Sequence, residues 1–404
     1  MKKQLVVALG LAVLATPAFA SKARLQALGE DVNGSFYIND NRNVFLNAAN
    51  VNNHKDLATF EWGDTTETTD GTGTPRAEGG VFKTMGNMVY GVYLGSESNT
   101  SNAFRGASGV TTTEENNIDL FVGGDAGMKW GANLTYSKSA DDESDNDSNQ
   151  QALRTRLGVI AGDIEGYANL SLTNKAESGT GATDAEFKGK LGYQIGAIYN
   201  LNEYRVFADY RSNSGEADGA LDGDIKSSQV QVGAGRASKL NDKATLFTKA
   251  SLVMVNAEND TSATVTGDFN NPWNAGGDDI ACGNTTAIFC EEYKSTSVPV
   301  VIGLEYDAAS WLTLRTSIAQ TIWGKEEDKD NKRGFQDSTV VNAGATLKFG
   351  ELSVDGVIGN SASVGVADAD AGDSTNSTGD NTSSGGGVLR TDNLMSRVSM
   401  TYRF

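Results

Sequence analysis

The chain is short of several things. Its 404 residues include four prolines, two cysteines and one histidine. Beyond the first twenty residues no run approaches the eighteen apolar residues of a membrane-crossing helix. Basic residues are scarce as well: 33 Lys and Arg stand against 52 Asp and Glu, a formal charge of −19. Each shortage excludes something. The acidic surplus argues against a nucleic-acid partner. A lone histidine, His54, gives little scope for a Ser-His-Asp unit, and no GxSxG turn or phosphate-binding glycine loop accompanies it. Cys282 and Cys290 have no further Cys or His beside them, which argues against a metal site. Close in sequence, they read as a disulfide formed in an oxidising compartment. No metal and no cofactor is expected.

What is present is glycine and alternation. Forty-seven glycines beside four prolines suit tight turns and packed strands better than helices. From Asp56 onward apolar and polar residues alternate, and successive strand side chains point to opposite faces. About sixteen such segments can be drawn, from Asp56–Asp64 to Leu394–Phe404, most long enough to cross a bilayer when tilted. Short turns, as at Gly86, Asp163 and Gly350, alternate with long polar segments, as at 98–115, 140–149, 259–292 and 361–393. That rhythm predicts an all-β chain, a transmembrane antiparallel β-barrel over residues 56–404. Closure leaves no sheet edge exposed.

The amino-terminus gives an address. Lys2 and Lys3, the apolar run Leu5–Ala15 and the small-x-small triplet Ala18-Phe19-Ala20 predict a secretory signal peptide over 1–20. Residues 21–55 are Asn-rich with two short strand-like patches, and they fit a periplasmic arm, a lumenal plug or an extra strand pair. The signal peptide, the alternating strands and a last strand ending Tyr402-Arg403-Phe404 resemble the outer-membrane porins of Gram-negative bacteria. The resemblance implies short periplasmic turns, long extracellular loops and contact with outer-membrane lipid and lipopolysaccharide. It also implies that the barrel-assembly machinery reads Tyr402 and Phe404, and that the chain forms a homotrimer. The expected function is passive diffusion of ions and small hydrophilic solutes. The alternatives are a plugged, substrate-specific transporter and a structural or adhesive surface barrel.

Parity assigns the two faces. A charge on the lipid face near the midplane costs about 2–4 kcal/mol, so the charged parity is predicted to face the lumen. That parity carries Lys129, Arg154, Arg156, Lys188, Lys190, Arg205, Asp209, Arg211, Lys249, Arg315 and Arg397, the expected pore lining. Glu61, Asp119, Glu165, Glu305, Lys348, Asp355 and Arg403 share it. The long segments hold 30 acidic and 7 basic residues, so the acidity sits in loops while the inner wall is basic. By resemblance, such a wall faces an inward-folded acidic loop, here Asp141, Asp142, Glu143, Asp145 and Asp147. These carboxylates suit Ca²⁺, but the glycine and terminal glutamate of a calcium loop are missing, which favours a solvated loop. Trp311 and Trp323 fall on the inward parity, at the rim or past a register slip. A barrel of sixteen strands is too wide for its own side chains to fill, so its lumen holds water unless something plugs it.

Overall fold

A computed structural model describes residues 21–63, 77–96, 98, 104–106, 108–110, 112, 114, 116–141, 147–179, 184–219, 222–260, 269–270, 279–280, 292–328, 332–334, 339–360 and 397–404. The signal-peptide segment, the pair Cys282 and Cys290, and the loop residues Asp142, Glu143 and Asp145 lie outside them.

Sixteen antiparallel strands form the wall. They are β1 Leu57–Trp62, β2 Glu78–Met85, β3 Met88–Leu94, β4 Ile118–Asp125, β5 Lys129–Asp141, β6 Asp147–Ala161 and β7 Ile164–Gly179. Next come β8 in two pieces, Ala185–Gly189 and Gly192–Leu201, then β9 Tyr204–Gly219, β10 Gly223–Asn241, β11 Ala244–Asn259, β12 Glu292–Ala309 and β13 Leu312–Asp328. The last three are β14, in pieces Lys332–Gly334 and Thr339–Phe349, β15 Leu352–Asn360 and β16 Val398–Arg403. Each strand pairs with the next, and β1 pairs with β16 with Thr59 opposite Thr401, which closes the sheet. A two-residue ladder, Phe269–Asn270 with Asp279–Ile280, stands apart from the wall.

Alternation produces the two faces. On β1 Leu57, Thr59 and Glu61 point inward and are buried, while Phe60 is 55% exposed on the outside. Val81, Tyr90, Leu120, Leu157, Ile195, Val206, Ile302 and Ile318 continue that exposed apolar outer surface. Short turns between neighbouring strands are closed by residues in the left-handed region, such as Gly162 and Gly350, where a side chain is rarely tolerated.

The barrel is lopsided. Strands β1 to β4 and β16 run for 6 to 8 residues, whereas β9 to β13 run for 16 to 19. A tilted crossing needs about 9–11 residues, so the tall strands rise well beyond a bilayer at the long-loop end. Their outer faces there carry ion pairs rather than apolar side chains, such as Lys190 with Glu216 (2.7 Å), Lys226 with Glu258 (3.6 Å) and Lys294 with Glu292 (3.4 Å).

Bulges turn the parity over, in β7 at Leu172 and in two strands where they displace residues named above. Gly189 lies opposite Gly215 and Tyr193 opposite Ser212, so β8 carries one extra residue between them. Above the bulge Ala185 and Phe187 are the buried, inward residues, and Glu186 and Lys188 face out. On β13 Thr321 lies opposite Pro299 and Trp323 opposite Val298, leaving Ile322 as the extra residue. Pro299 cannot donate to the ladder, which suits a break there. Trp323 thereby moves to the outside at 53% exposed, and Trp311 sits in the turn before β13, also exposed.

Candidate functional site

The lumen is occupied. Residues 21–54 enter it before the chain reaches β1, and most of them are buried. This plug is built from one short helix, Lys22–Ala27, and two 3₁₀ turns, Asn41–Val44 and Ala48–Asn52. Each element starts on a residue suited to capping. The Ser21 hydroxyl accepts from the Arg24 N–H, the Asp40 carboxylate from Arg42 N–H and the Asn47 amide oxygen from Ala49 N–H, all at 3.0 Å. Such local bonds satisfy a backbone too irregular for sheet or helix ladders.

The plug meets the wall on all sides. Leu25, Leu28, Tyr37 and Ile38 pack with Phe247 of β11. Val44, Phe45 and Val51 pack with Phe82, Val89, Tyr93 and Phe121 of β2 to β4. Phe36 stacks on Phe207 of β9 with ring centroids 4.3 Å apart. Polar contacts fill the intervals. Asn52 donates to the Trp130 carbonyl at 2.9 Å, Asn169 donates to the Leu46 carbonyl at 3.1 Å, and Arg397 donates to Gln26 at 3.1 Å. Glycine makes the fit possible. A Cβ on Gly131, Gly158, Gly235 or Gly344 would run into Ala48, Asn47, Tyr37 or Ala27 of the plug.

Buried charges lock it. The Arg24 guanidinium bridges Asp40 of the plug and Glu305 of β12, both at 3.1 Å. Glu305 also takes Arg315 at 2.6 Å, and Arg315 reaches Asp355 at 3.0 Å. On the opposite wall Arg42 lies 3.2 Å from Glu78 and 3.6 Å from Glu61, donates to the Tyr93 hydroxyl at 2.8 Å, and covers the Phe45 ring at 4.2 Å. Lys22 adds a 2.5 Å pair with Glu78, and Lys249 a 2.5 Å pair with Glu30. Buried pairs of this kind hold position, because removing one partner strands a charge away from water. Burial shifts several plug groups, Asp40 and His54 among them. The Asp40 carboxyl is pushed up to about 6, with Arg24 opposing. The His54 imidazole is pushed down to about 3, first by burial and then by Arg403, Arg24 and Lys129, and its Nε2 meets the Asn39 amide oxygen at 3.1 Å.

A second element enters from the long-loop end. The segment between β3 and β4 makes a turn at Phe104–Gly106, where Phe104 and Val110 pack with Ala176, Ala185, Phe187 and Ile225. Arg105 donates to Asn174 at 3.0 Å, and Glu114 binds Arg154. Asp141 ends β5 and Asp147 begins β6, and the acidic residues between them lie outside the described residues.

The expected pore-lining residues divide. Arg154, Arg156, Arg205, Asp209, Arg211, Lys249, Arg315 and Arg397 stand on the inner side, and the first seven are engaged in ion pairs. Lys129 lies at the short-turn end, 2.6 Å from the Asn53 amide oxygen. Lys188 and Lys190 are corrections: the β8 bulge turns them outward, where they pair with Glu186, Asp218, Glu216 and Asp224. Among the described residues most of the expected inward charges are therefore paired, and residues 21–54 stand in the lumen. Tyr402 and Phe404 face outward, half exposed, with their rings 6.3 Å apart. Sequence reasoning missed Glu30, Asp40, Arg42, Glu78, Arg105 and Glu114, which sit in or against segments without periodicity. The inward-parity glycines 131, 158 and 235 were the available sign that something lies against the wall.

An outward apolar surface on a closed antiparallel sheet is a surface for lipid, because only helices and closed barrels pair every backbone group inside a bilayer. The fold is that of an outer-membrane β-barrel. The chain is an integral protein of that membrane. No family model and no curated protein matches it. Solved barrels share its outline at low identity. The CymD monoaromatic hydrocarbon channel is 10% identical over 96% of this chain and 98% of its own, with a TM-score of 0.38. The anion-selective porin from Comamonas acidovorans is 13% identical over 73% and 97%, also at 0.38. The Ralstonia pickettii toluene transporter TbuX is 11% identical over 97% and 100%, at 0.33.

Proposed function

We propose that this barrel is an outer-membrane channel for small hydrophilic solutes, closed at rest by residues 21–54. The observation that carries the reading is the plug itself: a buried amino-terminal segment anchored by ion pairs to opposite walls of a lumen whose wall carries many charged and polar side chains among apolar ones. A purely structural barrel has no need of a separately folded insert, and an always-open porin has no room for one. The polar inner wall supports hydrophilic cargo. A transport rather than a catalytic role is supported by His54, which is buried and bonded to an asparagine instead of a nucleophile. Export by the residue 1–20 signal peptide, recognition of Tyr402 and Phe404 by the assembly machinery, the Cys282–Cys290 disulfide and a homotrimer belong to the same proposal.

The test is single-channel conductance in planar bilayers, on the full mature chain and on a chain lacking residues 21–55. The expected result is little conductance from the first and a large, stable conductance from the second. A large steady conductance from the full chain overturns the closed state. A folded, plug-free barrel that conducts nothing overturns the channel.

A further inference from the structure

Between the plug and the short-turn end of the wall lies a cleft of about 380 Å³. Asn39, Asn43, Asn50 and Asn53 line it from the plug, and Glu165, Asn200 and Arg205 from β7 to β9. Every lining side chain is polar. Ligand pockets are ordinarily apolar with a few polar groups set among them, and this one reverses the proportion. Its two lining charges belong to one ion pair, Arg205 with Glu165, and the Lys129 ammonium behind Asn53 is held by that residue's amide oxygen, so the lining itself presents no unpaired charge.

Several of these groups are already engaged, and the remainder form a pattern. The Asn43 amide is fully used: its oxygen accepts from Ser35 N–H and its nitrogen donates to the Ile38 carbonyl, both at 2.8 Å. The Asn39 oxygen meets His54 at 3.1 Å and the Asn50 oxygen accepts from Asn53 at 2.9 Å, which leaves both amide nitrogens as donors. Among the described residues the Asn200 amide has neither end engaged, so it offers a donor and an acceptor. Glu165 keeps its second oxygen, and the Arg205 guanidinium keeps donors beyond the ion pair. Donors and acceptors therefore converge in a neutral, amide-rich cleft. Vicinal hydroxyls complement such a surface, because each one donates and accepts at once. The volume equals roughly a dozen waters at about 30 Å³ each, room for one or two sugar rings.

We infer that this cleft binds a neutral polyhydroxylated solute of monosaccharide to disaccharide size, and so sets the substrate class of the channel. The word substrate rests on the proposed channel function; the binding does not. The cleft lies beside β8 and β9 at the short-turn end, where Asn200 and Arg205 flank the turn between them, so a solute bound there contacts plug and wall together.

The experiment is calorimetric titration of the folded full chain with glucose and maltose, with glucuronate and toluene as the charged and apolar comparisons. The neutral sugars should bind, and the comparisons should bind at least about tenfold more weakly. Asn200→Leu, which alters the wall and leaves the plug's own bonds intact, and Asn50→Leu should each weaken sugar binding about tenfold, the loss of one or two hydrogen bonds. Heat-modifiable migration verifies that each variant is folded. The proposal is overturned if neither sugar binds, if glucuronate or toluene binds as tightly, or if both variants bind sugar normally. A barrel that conducts without its plug yet binds no sugar loses this inference and keeps the channel. Sugar binding in a barrel that never conducts does the reverse.

Discussion

Gly131 of β5 and Gly158 of β6 lie opposite each other in the ladder, and the plug turn Ala48–Asn52 rests on both. A Cβ on Gly131 would strike the Ala48 carbonyl and stand 2.7 Å from the Ala49 nitrogen; one on Gly158 would strike the Asn47 amide and stand 2.9 Å from that same nitrogen. The Gly131 obstacle is backbone, which cannot rotate away as a side-chain tip can. Overpacking of this kind costs about 1–3 kcal/mol per site. The two sites share a neighbour, so their costs do not simply add. A loss of about 2 kcal/mol in the double variant Gly131→Ala/Gly158→Ala shifts the docked-to-undocked ratio of the plug about thirtyfold. The wall itself gains, because alanine suits a strand better than glycine. The two effects therefore have opposite signs and can be separated. The readouts are open probability in planar bilayers and trypsin cleavage at Lys22, Arg24 and Arg42, beside a control, Gly166→Ala, whose Cβ would meet only Val159 at an ordinary 3.6 Å. The variant should open and be cleaved, and the control should behave as the parent. A folded double variant as silent and as protease-resistant as the parent would falsify the close packing of plug on wall.

Three further outcomes follow from the same contacts. Arg24→Met leaves Asp40 and Glu305 facing each other without the bridging cation. Plug docking should weaken by about 3–5 kcal/mol, seen as faster protease cleavage, with no comparable change in barrel heat stability. The pH dependence combines two opposite signs. His54 has its folded value lowered, so its contribution is present above about pH 6.5 and is lost as pH falls toward 3; Asp40 has its folded value raised, so its contribution is present below pH 3.8 and is lost as pH rises through about 6. Protease protection of the plug at pH 5 relative to pH 7.5 should therefore rise in His54→Asn and fall in Asp40→Asn; a shift in neither removes these groups from plug docking. In a plug-free barrel, Arg154→Gln/Arg156→Gln should move the reversal potential toward cations, while Lys188→Gln/Lys190→Gln should leave it where it was, and the opposite ranking would restore the lysines to the lumen.

The wall was legible in the sequence because a closed sheet obeys one rule everywhere. Period-two alternation and the short-long rhythm of turns yield sixteen strands, the two faces and the inward arginines. The rule fails where the period breaks. One extra residue in β8 turns Lys188 and Lys190 outward, and one at Ile322 does the same for Trp323. Neither leaves a mark on the alternation until the partner strand is known. Inward folding is also illegible when it has no period: the Phe104–Gly106 turn and the plug are held by caps, single arginines and glycine windows, each ordinary in isolation. The segment between β3 and β4 enters the barrel through Phe104, Arg105 and Glu114, which the net acidity of the long segments does not single out.

The seam between β1 and β16 joins the two ends of the chain. Every other wall pairing is between neighbours in sequence, so this is the contact with the largest loop to close and the slowest to find by diffusion alone. The plug leads directly into β1, yet its first residues already hold β12 through Arg24 and the start of β16 through Gln26. If it docks before the sheet closes, it brings first strand and last strand within reach of their ladder. The same 34 residues that occupy the lumen touch the wall on both sides of that seam, Glu61 of β1 through the Lys22 N–H and Arg397 before β16 through Gln26.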